Sequence, residues 1–225
     1  MTAEVAIFRT NGIEHDLIRV SRSEVIFLRR WKRGGTLDIS LLWHILLYGW
    51  TASEIILAVA TRTRKKGGRV RDRGSMLLMW AVIVSAITAA EFISHMTPAM
   101  MMGGAHWLKL AAVIVLIAGV MVRWTAILSL GKAFSVNVAI RPTQTIYRSG
   151  LYRYLRHPSY SGLLIVFVAI ALYERNWLAA AVVLLPTIAA VLYRIHVEEE
   201  ALREAFGAEY AEYSRQTKRL IPGIY

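Results

Sequence analysis

Residues 160–195 read YSGLLIVFVAIALYERNWLAAAVVLLPTIAAVLYRI. Two shorter apolar runs, 160–173 and 177–193, are separated by Glu174-Arg175-Asn176. Three consecutive polar residues between such runs predict a tight turn, so the stretch reads as a short helical hairpin. Pro186 lies inside the second run and should bend it, because proline removes one helical hydrogen bond and clashes with the preceding turn.

Upstream, residues 37–60, 75–95 and 106–130 are apolar as well. Each is long enough to cross a bilayer, for which about 20 residues suffice. The chain of 225 residues is 56% hydrophobic, above the roughly 45–50% of soluble domains. The expectation is an all-α integral membrane protein with about five transmembrane helices: three in 37–130, then the hairpin.

Residues 1–36 form a separate arm. Ile13, Leu17, Val20, Leu28 and Trp31 alternate with Arg19, Arg22, Arg29, Arg30, Lys32 and Arg33. This pattern predicts a basic amphipathic helix on the membrane surface, with a disordered basic tail as the alternative. The arm lacks the apolar core of a signal peptide.

The formal net charge is +12. Its cations cluster beside apolar runs, which points to anionic lipid headgroups and to the positive-inside rule. No aromatic-interleaved basic platform suggests a nucleic-acid partner. Without cysteine, disulfides, thiolate catalysis and Cys-ligated zinc are excluded. The connection 61–74 carries Arg62, Arg64, Lys65, Lys66, Arg69, Arg71 and Arg73. The connection 131–159 carries Lys132, Arg141, Arg148, Arg153 and Arg156 and no acid. Both should be cytoplasmic, with the uncharged loop 96–105 outside. Five spans then put the basic arm outside, against the rule, unless 37–60, with Asp38, His44 and Glu54, crosses only in part.

Two motifs flank the hairpin. The first runs from Gly150 to Gly162 as GLYRYLRHPSYSG. Proline belongs in the first turn of a helix, and Ser159 is a plausible capping group. A membrane helix should therefore start here, with its free N–H groups at the interface, where they attract a carboxylate or phosphate. Gly162 lets another backbone or a ligand approach closely. The second motif is Arg194-Ile195-His196-Val197-Glu198-Glu199, followed by Leu202, Phe206-Gly207, Tyr210 and Tyr213. Arg194 and Glu198 share a helix face. The motifs converge at one membrane face, where a cation and an anion flank a cleft roofed by Tyr152, Tyr160 and Tyr147. Singly, such residues are headgroup anchors and aromatic-belt members; jointly, they suit a zwitterionic or cationic cofactor beside an anionic acceptor.

From about Asn137 to Pro222, this pattern resembles the isoprenylcysteine carboxyl methyltransferases, of the wider phospholipid methyltransferase-like superfamily. The resemblance implies a multi-pass membrane methyltransferase using S-adenosyl-L-methionine, with its active site on the cytoplasmic face and 131–225 as cofactor loop, hairpin and catalytic segment. Carried over by position, it implicates Gln144, Thr145, Ile146, Tyr147, Tyr152, His157, Pro158, Ser159, Tyr160 and Glu198 in cofactor binding. It puts the acceptor-side arginine at Arg194. Gln144 and Tyr147 depart from the eukaryotic pattern, which has His and Val there. The expected partner is a lipophilic methyl acceptor. A carboxylate acceptor would be held by Arg194, with Arg156, and needs no base; an amine acceptor would need one, for which Glu199 is the candidate. No metal is expected.

The acceptor stays open among a prenylated cysteine carboxylate, a phospholipid amine and a small lipophilic thiol. Two other classes also remain. One is an NADPH-dependent sterol-reductase-like enzyme, suggested by the ending Ile221-Pro222-Gly223-Ile224-Tyr225. The other is a scaffold or transporter whose path is lined by Glu54, Glu91, His95 and Arg123 at membrane depth.

Overall fold

The computed structural model describes residues 38–60, 69–70, 74–131, 139–140 and 145–225. The basic arm 1–36 and Gln144 lie outside the described residues. The backbone divides into two compact units, Met1–Leu42 and Trp43–Tyr225; of the first, only residues 38–42 are described.

Among the described residues there are six α-helices: α1 Ile39–Ala60, α2 Ser75–Met96, α3 Ala105–Leu130, α4 Pro158–Glu174, α5 Trp177–Phe206 and α6 Ala208–Gln216. The described residues hold in addition one two-residue antiparallel ladder, β1 (Arg69–Val70) with β2 (Ala139–Ile140), in an otherwise all-α arrangement. That ladder joins the two basic connections. Four helices, α1, α2, α3 and α5, are long and apolar enough to cross a membrane, and α4 is a shorter apolar helix of 17 residues.

The hairpin turns where expected. Arg175 takes a left-handed conformation (φ 53°) and ends α4. Asn176 then caps α5: its side-chain oxygen accepts from the N–H groups of Leu178 and Ala179, both at 3.0 Å. Its amide nitrogen donates to the Thr97 carbonyl and hydroxyl at 2.9 and 3.0 Å, tying the turn to the end of α2.

The second arm of the hairpin is not short. The helix passes through Pro186 and continues past residue 193 to Phe206, 30 residues in all. At about 1.5 Å per residue it is about 45 Å long, against an apolar core of about 30 Å. Loss of hydrophobicity after Tyr193 marks where the helix leaves the apolar layer, not where it ends. Gly207 (φ 49°) breaks it, and α6 turns away.

The helices pack as two close pairs, α3 with α4 and α2 with α5, joined by the hairpin. The α3–α4 crossing is set by two missing side chains. A Cβ on Gly162 would lie 2.5 Å from the Arg123 backbone nitrogen, and one on Gly119 would lie 2.8 Å from that of Val166. Small residues let membrane helices approach this closely. The expected role of Gly162 is thus met by the backbone of α3.

From Trp43 onward, α1 meets α4 through ring contacts that run in opposite chain order. Trp43 stacks on Tyr173 with ring centroids 4.1 Å apart. Trp50 meets Phe167 edge-on at 6.3 Å. Glu54 pairs with Arg123, which donates to the Ser159 carbonyl at the start of α4. Through its rings α1 meets α4, and through Glu54 it meets α3.

Candidate functional site

Both motifs meet at the end of the bundle where α4 begins. Pro158 occupies the first helical position with His157 as the capping residue, as proline's fixed φ favours. Ser159 does not cap; it lies inside the first turn, with its carbonyl bonded to Arg123 at 3.1 Å. The preceding 3-10 turn, Gly150–Arg153, carries the buried Tyr152.

On the facing helix, Arg194 and Glu198 are joined through one hydroxyl. Tyr160 accepts from Arg194 Nε at 3.2 Å and donates to Glu198 at 3.1 Å. Arg194 is 1% exposed, and its Nη1 donates to the Ser75 hydroxyl at 2.6 Å, the first residue of α2. Three helices therefore share this guanidinium. Glu198 is half-buried. Tyr147 and Tyr152 sit edge-to-face with centroids 5.6 Å apart. Burial first, and then the charge of Glu198, push the Tyr152 hydroxyl well above the usual tyrosine range, so it is a neutral donor. Glu198 thus acts on the hydroxyl of Tyr152, whose ring Tyr147 flanks. Thr145 is exposed and Ile146 half-exposed on the same segment.

Glu199 faces elsewhere. Successive helical residues are about 100° apart, so the neighbour of Glu198 points at a different wall. It is 1% exposed. Its carboxylate accepts from Arg156 at 2.9 Å, Arg203 at 3.0 Å and Arg219 at 3.0 Å, with His157 Nε2 at 3.3 Å. Arg156 also donates to the carbonyls of Ser214 and Thr217, at 2.8 and 2.5 Å. Backbone bonds add to this cluster: Arg156 N–H to the Lys218 carbonyl at 2.7 Å, His157 N–H to that of Arg219 at 3.1 Å, and Lys218 N–H to that of Tyr154 at 3.0 Å. The C-terminal segment is strapped across the Arg-His-Pro loop, and Glu199 is the rivet. The Glu199 carboxylate raises Arg219 above the usual guanidinium range, mainly through their hydrogen bond.

Arg156 and Glu199, expected beside the acceptor, are therefore brought to each other and to the C-terminal strap. Their structural partners Arg219, Thr217 and Ser214 carried no signal in the sequence beyond the likeness of the chain's ending. Tyr213, in the second motif, donates to the Tyr152 carbonyl at 2.8 Å and so braces the aromatic wall. Burial pushes its hydroxyl up to about 12.

The charges at membrane depth fall into two groups. Glu54 and Arg123 pair next to Ser159. Glu174 bonds Ser94 and lies near Glu91 and His95 at the other end of α4. Fifteen residues of helix, about 22 Å, separate them.

A sequence profile of the isoprenylcysteine carboxyl methyltransferase (ICMT) family matches residues 111–204. Protein-S-isoprenylcysteine O-methyltransferase B of Arabidopsis thaliana is 27% identical over 174 residues, covering 76% of this chain and 87% of that protein. A probable protein-S-isoprenylcysteine O-methyltransferase of Oryza sativa subsp. indica is 29% identical over 177 residues, covering 76% and 90%. The solved eukaryotic intramembrane Ras methyltransferase ICMT superposes with a TM-score of 0.52 at 28% identity, over 64% of this chain. This chain spans 52% of the length of that structure. The profile covers most of the close α3–α4 pair, the Arg-His-Pro loop and Glu198 and Glu199 of α5, the elements that build the site. Over these elements the chain is similar to the isoprenylcysteine carboxyl methyltransferase family.

Proposed function

We propose that this protein is an S-adenosyl-L-methionine-dependent membrane methyltransferase that esterifies the carboxylate of an isoprenylcysteine-like lipophilic acceptor at the cytoplasmic face. The observation that carries the choice of acceptor is the engagement of Glu199. An amine must lose a proton during methylation, and the carboxylate expected to take it is occupied by three arginines and a histidine. A carboxylate acceptor needs no base, because an α-carboxyl of pKa about 3.5 is already ionised at neutral pH.

The residues present fit the cofactor. Glu198 supplies the anion that a cationic ligand needs, and the rings of Tyr147 and Tyr152 supply the faces on which cations rest. Tyr147, Tyr152, Tyr160 and Glu198 would hold it, with the loop from Thr145 and Ile146 alongside and His157, Pro158 and Ser159 shaping the floor. When bound, S-adenosyl-L-methionine supplies an electrophilic methyl group whose bond to sulfur breaks as the ester bond forms. The protein's part is positioning in a dry site, which supplies most of the rate in such transfers. Arg194, whose Nε and Nη1 donate to Tyr160 and Ser75, is the cation proposed to grip the acceptor carboxylate, exchanging those bonds for its oxygens as a guanidinium fork can. Tyr160 holds that fork in register with Glu198. Arg156 and Glu199 act as positioning residues, fixing the Arg-His-Pro loop against the C-terminal strap. The basic connections at this end support a cytoplasmic orientation.

The test is Arg194→Lys, which keeps the charge but removes the fork. Methyl transfer to a soluble S-prenylated cysteine should fall about a hundredfold, the scale of a misplaced reactant, while S-adenosylhomocysteine binding persists. Loss of cofactor binding with no separate effect on transfer would overturn the role given to Arg194.

A further inference from the structure

Outside the site residues, one buried ionic group bears directly on the Arg-His-Pro motif. Glu54 of α1 is 4% exposed and Arg123 of α3 is 6% exposed. The Arg123 Nε and Nη2 both donate to the Glu54 carboxylate, one to each oxygen. Trp50 Nε1 donates to the same carboxylate at 3.1 Å. The remaining arm of the guanidinium, Nη1, reaches the Ser159 carbonyl. Burying an ion pair in an apolar layer is a poor route to stability, since desolvation offsets most of the attraction and well-packed apolar residues often do better. Charges at such depth usually serve something besides the fold.

We infer that Glu54 and Arg123 are positioning residues for the transfer reaction: they pin the first turn of α4 at Ser159 and thereby set where the Tyr160 hydroxyl stands between Arg194 and Glu198. The inference rests on the methyltransferase reading given above. Three observations support it. Ser159 and Tyr160 are adjacent, so any shift of the carbonyl carries the hydroxyl with it. The bare face of Gly162 lets the backbone of Arg123 sit against α4, fixing the origin of the side chain as well as its tip. Trp50 Nε1 holds the Glu54 carboxylate as well, so the far end of the pair is also fixed. The α1 face that carries this pair is otherwise apolar: Trp43, Trp50 and Leu57 are its other buried side chains. Packing alone would have been met by an apolar residue at position 54.

The experiment compares three variants of the full-length protein in detergent, with S-adenosylhomocysteine as the probe. Arg123→Lys cannot hold both Glu54 oxygens and the Ser159 carbonyl with one planar group, and its affinity for the probe should drop about tenfold, the equivalent of one charge-assisted hydrogen bond. Trp50→Phe removes one bond to Glu54 without baring a charge; it should shift affinity in the same direction by less, and it carries the test if Arg123→Lys does not fold. Leu57→Ala, an apolar truncation on the same helix face, should lower the unfolding midpoint and leave affinity unchanged. Amide hydrogen exchange across residues 159–163 should quicken in Arg123→Lys but not in Leu57→Ala. Wild-type affinity in both polar variants, or an equal loss in Leu57→Ala, would overturn the inference. If the wild type itself does not bind the probe, the methyltransferase reading fails, and the exchange comparison still decides whether the pair pins the turn.

Discussion

The two ends of the helix bundle solve the same problem with different means. At the hairpin end, the outer one in the orientation proposed above, a helix hairpin must turn and satisfy its loose backbone groups. It does so with two adjacent residues: Asn176 caps α5 and reaches Thr97, and the Arg175 carbonyl accepts from Met102 N–H at 2.7 Å. At the inner end the charges are many and their partners distant in sequence. Glu199 draws Arg156 from 43 positions away, and Arg123 draws Glu54 from 69. The outer end needs only to close. The inner end holds Tyr152, Tyr160, Arg194 and Glu198 in fixed relation, and that precision requires anchors from several helices and the C-terminal strap.

The comparison breaks most readily at Glu199. Glu199→Gln would leave Arg156, Arg203 and Arg219 crowded around a neutral group, and removing one partner of a buried ionic cluster costs about 3–5 kcal/mol. Thermal unfolding in detergent should show that loss, accompanied by loss of methyl transfer. An unaltered midpoint would mean that the strap does not depend on this carboxylate. At the outer end, Asn176→Ala should cost about 1–2 kcal/mol, the worth of a lost cap, with transfer activity in the remaining folded protein unchanged. A comparable drop in activity from that substitution would erase the distinction between the two ends.

What the sequence discloses follows the same division. The apolar runs predict the membrane helices within a few residues because hydrophobicity is a local property, and Glu174-Arg175-Asn176 predicts the turn for the same reason. The end of α5 is not legible in that way. Hydropathy stops reporting at Tyr193, while RIHVEEEALREAF continues as good helix-forming sequence to Phe206. At the site, the motif residues Tyr152, His157, Tyr160, Arg194 and Glu198 are recognisable from type and spacing. The division of labour between Glu198 and Glu199 is not, because it depends on helix phase against neighbours 38 and 43 positions away. Glu54 and Arg123 are conspicuous in sequence as charges at membrane depth, yet only the fold brings them together; the same prominence had made a transport path a reasonable alternative. Arg219 and Thr217, in a polar C-terminal segment, have no local feature that marks them.

The central claim is that two adjacent glutamates near the end of α5 divide the work, with Glu198 facing a cofactor and Glu199 holding the scaffold. Calorimetric titration of the detergent-purified protein with S-adenosylhomocysteine tests it most directly, run on the wild type and on Glu198→Ala. The account predicts micromolar binding by the wild type, abolished in Glu198→Ala while the unfolding midpoint is retained. Absence of binding by folded wild-type protein, or unchanged affinity in Glu198→Ala, would contradict it.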